Sequence, residues 1–163
     1  EANTLPAPMQ VISIPTLMAL LRNDAEALSQ GHHVFNFEVS SPSNLMGEER
    51  EILSAFGNLV SNAIRYSPDI ASISANWRLN EDGEGEFSVT DTGPGIASEH
   101  LSRLTERFYR VDRSRSRDTG GTGLGLAIVK HIANRHQAQL IIESTPGKGS
   151  TFILRFPKER IAH

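Results

Sequence analysis

The segment 48–67 carries the strongest structural signal in the chain, because its apolar residues repeat with the period of an α-helix. The repeat consists of Ile52, Leu53, Phe56, Leu59, Val60, Ala63 and Ile64. Pro68 ends it, since a proline disfavours α geometry at the residue before it. A helix of this length with one apolar face must bury that face against other elements, so the fold is expected to form around it.

Weaker patterns on both sides of this helix predict its partners. Helices are predicted near 15–31, 98–104 and 124–136, and strands near 34–39, 73–79, 86–90, 140–143 and 150–156. The strands at 73–79 and 86–90 are separated by an acidic turn with glycine, which is typical of a hairpin. This order predicts an α+β two-layer sandwich, in which a mixed sheet of about five strands carries three main helices on one face.

The composition fits one domain in a reducing compartment. The 163 residues, 38% of them hydrophobic, suffice for a single core, and we expect a domain at 13–160 after a linker remnant at 1–12. A net charge of -3 argues against nucleic acid as a partner. With no cysteine and no run of about 18 apolar residues, we expect a cytoplasmic domain that is not embedded in a membrane.

Two asparagines mark one edge of the helix predicted at 48–67. Asn58 and Asn62 are four residues apart, so both project from a stripe that borders the apolar face, and Arg65 and Tyr66 continue this stripe. Amide carbonyl oxygens suit a magnesium ion that keeps waters and nucleotide phosphates as its other ligands. A pair of solvated amides is the alternative that the spacing leaves open.

A second polar motif directly follows the strand predicted at 86–90 and reads Asp91-Thr92-Gly93-Pro94-Gly95. The Asp91 carboxylate can accept a hydrogen bond from an exocyclic amine such as that of adenine, while Gly93 and Gly95 let the backbone approach the ring. A tight turn is the alternative. We reject the dinucleotide-binding fingerprint, because Ser98 stands where its third glycine would be.

A third motif consists of glycines that lead straight into the helix predicted at 124–136. It reads Gly120-Gly121-Thr122-Gly123-Leu124-Gly125-Leu126. Backbone N–H groups at such a helix start can point at an anion, and the helix dipole adds attraction, so phosphate is the expected ligand. A flexible hinge is the alternative, whereas a P-loop is excluded because no lysine follows in the required position.

Between the second and third motifs, Phe108-Tyr109-Arg110 precedes a polar, arginine-rich stretch that we interpret as a mobile loop at 110–121. Arg110 is expected to reach phosphate oxygens. The more distal arginines are equally consistent with a solvated loop. The six histidines show no paired metal-ligand spacing and are assigned no role.

In this order the motifs resemble the N, G1, F and G2 boxes of the sensor histidine kinase catalytic domain, and the resemblance spans nearly the whole chain. It implies the Bergerat ATP-binding fold, with Asn62 and Asn58 at magnesium, Asp91 at adenine, and a lid before Gly121. It also implies a catalytic role for Arg110 beside the two asparagines. The other nucleotide-binding residues that it implies are Arg65, Tyr66, Gly93, Gly95, Gly121, Thr122, Gly123, Leu124 and Gly125. Arg65 stands where the family often has lysine, so the charge is kept but the geometry is not.

By the same resemblance, the chain binds Mg-ATP and delivers the γ-phosphate to a histidine on a separate dimerisation domain, which then phosphorylates a response regulator. In the family an acidic residue follows that histidine, and no histidine here is followed by Asp or Glu. We therefore expect the acceptor to lie elsewhere in a homodimeric parent anchored in the inner membrane. The stretches 104–112 and 123–131 look closest to the phosphate-regulon sensor kinases of Gram-negative bacteria.

Two other functions are weighed against this one. ATPases of the same superfold that use water carry a glutamate as general base where this chain has Asn58, and an amide cannot accept a proton at neutral pH. That difference argues against hydrolysis. A nucleotide-binding module without chemistry is the second alternative, although complete glycine motifs argue against it.

Overall fold

The computed structural model describes residues 5–67, 71–92, 124–145 and 149–162. Within these residues, three α-helices are interspersed among strands, and the strands form two sheets. In chain order the elements are β1 (Gln10–Ile12), α1 (Ile14–Ser29), β2 (Val34–Val39), β3 (Asn44–Gly47), α2 (Glu49–Tyr66), β4 (Ser72–Leu79), β5 (Gly85–Asp91), α3 (Leu124–Arg135), β6 (Gln139–Thr145), β7 (Gly149–Phe156), a 3₁₀ turn (Lys158–Arg160) and β8 (Ile161–Ala162).

The main sheet has the strand order β2-β4-β5-β7-β6. β2 and β4 are parallel, and the other neighbouring strands are antiparallel. The predicted hairpin is confirmed, because β4 and β5 pair along their length and the side-chain oxygen of Asn80 accepts from the backbone N–H of Asp82 and of Glu84 in the turn. The predicted mixed five-stranded sheet is therefore confirmed.

The core lies between this sheet and a layer of helices in which α2 contacts both α1 and α3. Phe56 of α2 stacks on Phe87 of β5, with ring centroids 3.8 Å apart. Trp77 of β4 is fully buried and donates its indole N–H to the carbonyl oxygen of Ser43 at 3.2 Å. The apolar face predicted for 48–67 thus packs on the sheet, and the predicted two-layer sandwich is confirmed.

A second, smaller sheet is not predicted by the sequence. In it β3 pairs antiparallel with both β1 and β8. These strands contain four, three and two residues, which is too short for an alternating pattern to stand out. Within the stretch 1–12, which the sequence suggests as a linker remnant, residues 10–12 pair with 45–47.

Two of the predicted elements, the helix at 98–104 and the loop at 110–121, lie outside the described residues. Among the helices that the structure does describe, none combines the length and the apolar character needed to cross a membrane.

Arg160 ties the N-terminal segment to the small sheet from a buried position, with 2% of the residue exposed. Its guanidinium donates to the backbone carbonyl oxygens of Ala7 at 3.0 Å, Pro8 at 3.2 Å and Met46 at 3.1 Å, and to the side-chain oxygen of Gln137 at 2.8 Å. Four oxygen acceptors from distant parts of the chain thus depend on one side chain.

We predict that Arg160→Met lowers the free energy of unfolding by about 3 kcal/mol, because it removes a buried charged donor and the four hydrogen bonds that it makes, including the one to the buried Ala7 carbonyl oxygen. Arg22→Met is the matched control, since Arg22 is half exposed and pairs with Glu26 along α1. We expect the control to stay within about 0.5 kcal/mol of the wild type. Urea unfolding followed by circular dichroism measures both, and equal losses would contradict the role given to Arg160.

Candidate functional site

The amide of Asn58 has a defined orientation on α2. Its nitrogen donates to the backbone carbonyl oxygen of Ser54 at 2.8 Å and lies 3.4 Å from the hydroxyl of the same residue. Because the nitrogen points back along the helix, the carbonyl oxygen points away from that turn. Asn58 and Asn62 are both half-buried, as expected for residues at the border of the apolar face.

The first turn of α3 lies against these two amides. A Cβ atom added to Gly125 would sit 3.3 Å from Oδ1 of Asn58, and 3.5 and 3.7 Å from Nδ2 and Oδ1 of Asn62. A Cβ atom at Gly125 would therefore press on Oδ1 of Asn58 and come into van der Waals contact with Asn62. The structure thus brings the asparagine motif together with Gly125, the last glycine of the third motif, although 63 positions separate Asn62 from Gly125.

The electrostatic setting of this contact suits an anion. The N-terminal end of an α-helix carries partial positive charge, and the first turn of α3 contains no acidic residue that would offset it. The amides of Asn58 and Asn62 add neutral oxygen donors directly beside that helix end. An anion with a bound cation would be complementary to this contact, with the anion at the helix end and the cation at the amide oxygens.

Asp91 ends β5 on the side of the sheet that faces the helices. Phe87, Val89 and Asp91 alternate along the strand and are all buried, so their side chains share one face. Since α2 packs on that same face, Asp91 and the asparagines of α2 lie on the same side of the sheet. An open cleft of about 230 Å³ begins at Asp91 and Thr90 and extends along Ser150; Asn58 and Asn62 do not line it.

Gly149 permits the approach of β7 to the end of β5. Its φ angle is +129°, and an added Cβ atom would collide with the backbone carbonyl oxygen of Asp91 and approach Cα of Thr92 to 3.2 Å. The sequence motifs do not reveal this support for Asp91, because Gly149 lies in none of them. A single glycine at the start of a strand, where another backbone comes close, is the signal that could have found it.

The remaining predicted site residues are placed only in part. Arg65 is half-buried in the last turn of α2, while Tyr66 ends α2 and Leu124 begins α3. The others lie outside the described residues, and their roles stay predictions: Gly93, Gly95, Arg110, Gly121, Thr122 and Gly123. Among the described residues, the structure gathers Asn58, Asn62 and Gly125.

In the part of the chain that the structure describes, no three or more His, Cys, Asp or Glu side chains lie close enough together to hold a metal ion. A metal bound by these residues would therefore take its remaining ligands from water or from a bound molecule. The donor set of Asn58 and Asn62 is compatible with a hard cation of this kind.

Comparison with known proteins assigns the family. The family described as histidine kinase-, DNA gyrase B- and HSP90-like ATPase matches residues 47–160, which is more than half of the chain. The chain belongs to this ATPase family. The predicted resemblance to the sensor histidine kinase catalytic domain is thereby confirmed at the level of the domain.

Curated relatives of this ATPase domain are sensor kinases. The phosphate regulon sensor protein PhoR of Pseudomonas aeruginosa is 50% identical over 163 residues, covering 99% of this chain and 37% of the relative. The sensor-like histidine kinase SenX3 of Mycolicibacterium smegmatis is 51% identical over 114 residues, or 70% of this chain and 29% of the relative. The matched part of the chain thus spans about a third of the length of these relatives.

Solved structures agree on the fold. The mycobacterial sensor histidine kinase MprB gives a TM-score of 0.79 at 23% identity, covering 91% of this chain and 97% of that one. Full-length ShkA in complex with AMPPNP gives a TM-score of 0.77 at 26% identity, covering 98% of this chain and 32% of that one. The predicted Bergerat fold is confirmed.

We predict that Gly149→Ala lowers the free energy of unfolding by about 2–3 kcal/mol, since alanine is strained at this φ angle and its Cβ would meet the Asp91 backbone. Gly57→Ala is the control. Gly57 lies inside α2, and its added Cβ would meet only Leu21 at 3.9 Å, so we expect a gain of about 0.5–1 kcal/mol. Thermal or urea unfolding measures both; a neutral Gly149→Ala variant would contradict the close approach.

Proposed function

We propose that the chain is the catalytic domain of a sensor histidine kinase, which binds Mg-ATP and delivers the γ-phosphate to a histidine on a separate dimerisation domain of the same kinase. The observation that supports this most directly is the position of Gly125 against Asn58 and Asn62. It puts the glycine-rich helix start, which suits phosphate, beside the amide oxygens, which suit a cation bound to phosphate.

Magnesium fits the residues of this contact. Mg²⁺ is usually held by one or two protein oxygens plus waters and nucleotide phosphates, and two neutral amides leave the phosphates to balance its charge. Because the side-chain nitrogen of Asn58 donates a hydrogen bond to the Ser54 carbonyl oxygen, its side-chain oxygen is the atom available to the ion. Asn62 is the second amide of the pair. When bound, the ion would neutralise negative charge on the phosphates during transfer.

Asp91 is proposed to recognise adenine. Its carboxylate can accept a hydrogen bond from the exocyclic amine, and its position at the end of β5 on the helix-covered face directs it toward the side of the sheet where α2 lies. Gly93 and Gly95 would allow the ring to approach the backbone. Arg65 and Tyr66, the last two residues of α2, are proposed to contact the nucleotide as well.

The chemistry asked of this chain is mainly placement. In the proposed transfer, the bond from the γ-phosphorus to the bridging oxygen of ADP breaks, a bond to an imidazole nitrogen forms, and the imidazole proton passes to a base outside this chain. The domain holds the triphosphate in line with the incoming imidazole, and Arg110 of the lid balances charge on the transferred group.

Hydrolysis is the reaction that the site is least equipped to perform. The ATPase family includes members named for DNA gyrase B and HSP90. Activation of water needs a general base within hydrogen-bond reach, and Asn58 provides only an amide whose nitrogen is bound to its own helix. Transfer to another group, with its own base, is therefore the better supported reaction.

The proposed partners follow from the relatives. PhoR of Pseudomonas aeruginosa, half identical across this chain, is named a phosphate regulon sensor protein. We therefore propose that the chain serves phosphate-starvation signalling, as the cytoplasmic part of a homodimer anchored in the inner membrane that phosphorylates a response regulator. A non-catalytic nucleotide sensor remains the alternative outcome of the tests below.

We predict that Asn62→Ala weakens ATP binding by more than about tenfold in the presence of magnesium and changes it little in EDTA. Asn44→Ala is the control, because the amide of Asn44 has a structural role, in which its oxygen accepts from the backbone N–H of Ile14 at 3.0 Å. Isothermal titration with and without Mg²⁺ measures both variants. Equal affinities would contradict the metal assignment.

We also predict that the 163-residue chain, mixed with the separately produced dimerisation domain of its own kinase and radiolabelled ATP, transfers label to that domain as acid-labile phosphohistidine. A dimerisation domain whose acceptor histidine is replaced by glutamine is the control. Tight Mg-ATP binding without transfer would favour the non-catalytic sensor, and rapid release of free phosphate would favour an ATPase.

A further inference from the structure

The helices α2 and α3 pack against each other, and specific polar contacts or close approaches lie near both ends of the pair. Near one end Gly125 lies against Asn58 and Asn62, and near the other end Arg135 binds Glu51. Since α3 therefore runs antiparallel to α2, the ten residues from Gly125 to Arg135 span about 15 Å along the pair. Both contacts depend on the same axial position of α3.

The contact at Arg135 is bidentate. Nε and Nη2 of Arg135 donate to the two carboxylate oxygens of Glu51, each at 2.7 Å, and both side chains are about three-quarters covered. The hydrogen bond from Arg135 lowers the pKa of Glu51, so the carboxylate stays charged near neutral pH. A two-point contact of this kind fixes position as well as attraction, because a shift of either helix breaks both bonds.

His136 adds a third bond between the same helix ends. Its ring is fully buried, and Nε2 accepts from the backbone N–H of Glu48, the residue that caps the start of α2. An N–H group can only donate, so Nδ1 carries the proton and donates to the carbonyl oxygen of Ile132 at 2.8 Å. Gly47 makes the space: a Cβ atom there would sit 2.6 Å from the ring.

The charge state of His136 suits this arrangement. Burial lowers its pKa, and Arg160 and Arg135 act in the same direction, while the Ile132 carbonyl and Glu51 oppose it. The neutral ring keeps Nε2 free to accept. The bond to Glu48 is therefore maintained at neutral pH.

We infer that Glu51, Arg135 and His136 are positioning residues, which set the axial position of α3 on α2 and thereby hold Gly125 against Asn58 and Asn62. The inference rests on the proposed function, since it concerns the geometry in which the two motifs meet magnesium and phosphate. None of the three residues lies at the nucleotide contact itself, and they act through the helices.

The test compares Glu51→Gln and Arg135→Met with the wild-type chain. Glu51 is the cleaner target, because Arg135 also donates to the Leu5 carbonyl oxygen. We expect each variant to weaken Mg-ATP binding by about tenfold while binding of ADP in EDTA changes less than about twofold. Arg135→Lys, which keeps the charge but not the two-point geometry, should recover part of the loss. Isothermal titration measures the affinities, and circular dichroism verifies folding.

Glu86→Gln is the matched control for stability. Glu86 is almost fully buried and pairs with Arg78 and Arg155 at 2.9 and 2.7 Å, on the sheet face opposite to the one that Phe87 presents to α2. Removal of the carboxylate charge in Glu86→Gln should lower the unfolding midpoint at least as much as Glu51→Gln does, and it should leave the affinity for Mg-ATP unchanged. An equal loss of affinity in this control would overturn the inference, because it would show a general effect of destabilisation.

The outcomes separate the inference from the proposed function. Wild-type chain that binds ATP no better with magnesium than in EDTA would refute the proposed function. Wild-type chain with clear magnesium dependence, together with folded Glu51→Gln and Arg135→Met variants of unchanged affinity, would overturn the positioning role alone. Parallel losses for Mg-ATP and for ADP in EDTA would also overturn it, because the effect would not be specific to the amide contact.

Discussion

The packing of α2 on the sheet is the constraint on which the rest of the structure depends. Phe56 stacks on Phe87, and Leu59 is 1% exposed, so the rotation of the helix about its axis is fixed by its largest apolar side chains. With that rotation fixed, Asn58 and Asn62 must lie along the edge of the core. A rotation that moved the amides toward solvent would also expose Phe56, so the stability of the core and the geometry of the site are one and the same requirement.

The local parts of this arrangement could be predicted from the sequence. The helical period of 48–67, the hairpin at β4 and β5 and the helical pattern from Leu124 onward are each encoded within one short segment, and the structure reproduces these elements. The asparagine stripe could also be placed at the border of the apolar face, because residues four apart on a helix share a side. Periodicity and glycine content are local properties, which is why they are readable.

The parts that could not be predicted are contacts between distant segments. Glu51 and Arg135 are 84 positions apart, and neither lies in a motif that distinguishes it from an ordinary surface charge. The small sheet joins strands of two to four residues from three parts of the chain, and Gly149 acquires its meaning only when β7 meets the end of β5 at Asp91. Such features follow from the assembled fold, so no short window of sequence contains them.

The two ends of α3 show how the fold compensates for a glycine in its first turn. Glycine is less favourable than alanine in a helix, by up to about 1 kcal/mol in the interior, and Gly125 lies at the end of α3 that approaches the amides. The opposite end is reinforced: Arg135 lies in the last turn of α3, where a cation complements the helix dipole, and its partner Glu51 lies in the first turn of α2, where an anion does the same. Because the helices are antiparallel, one ion pair stabilises both termini. The end of α3 that meets the amides can therefore be weak in helix propensity, since its position is set from the other end.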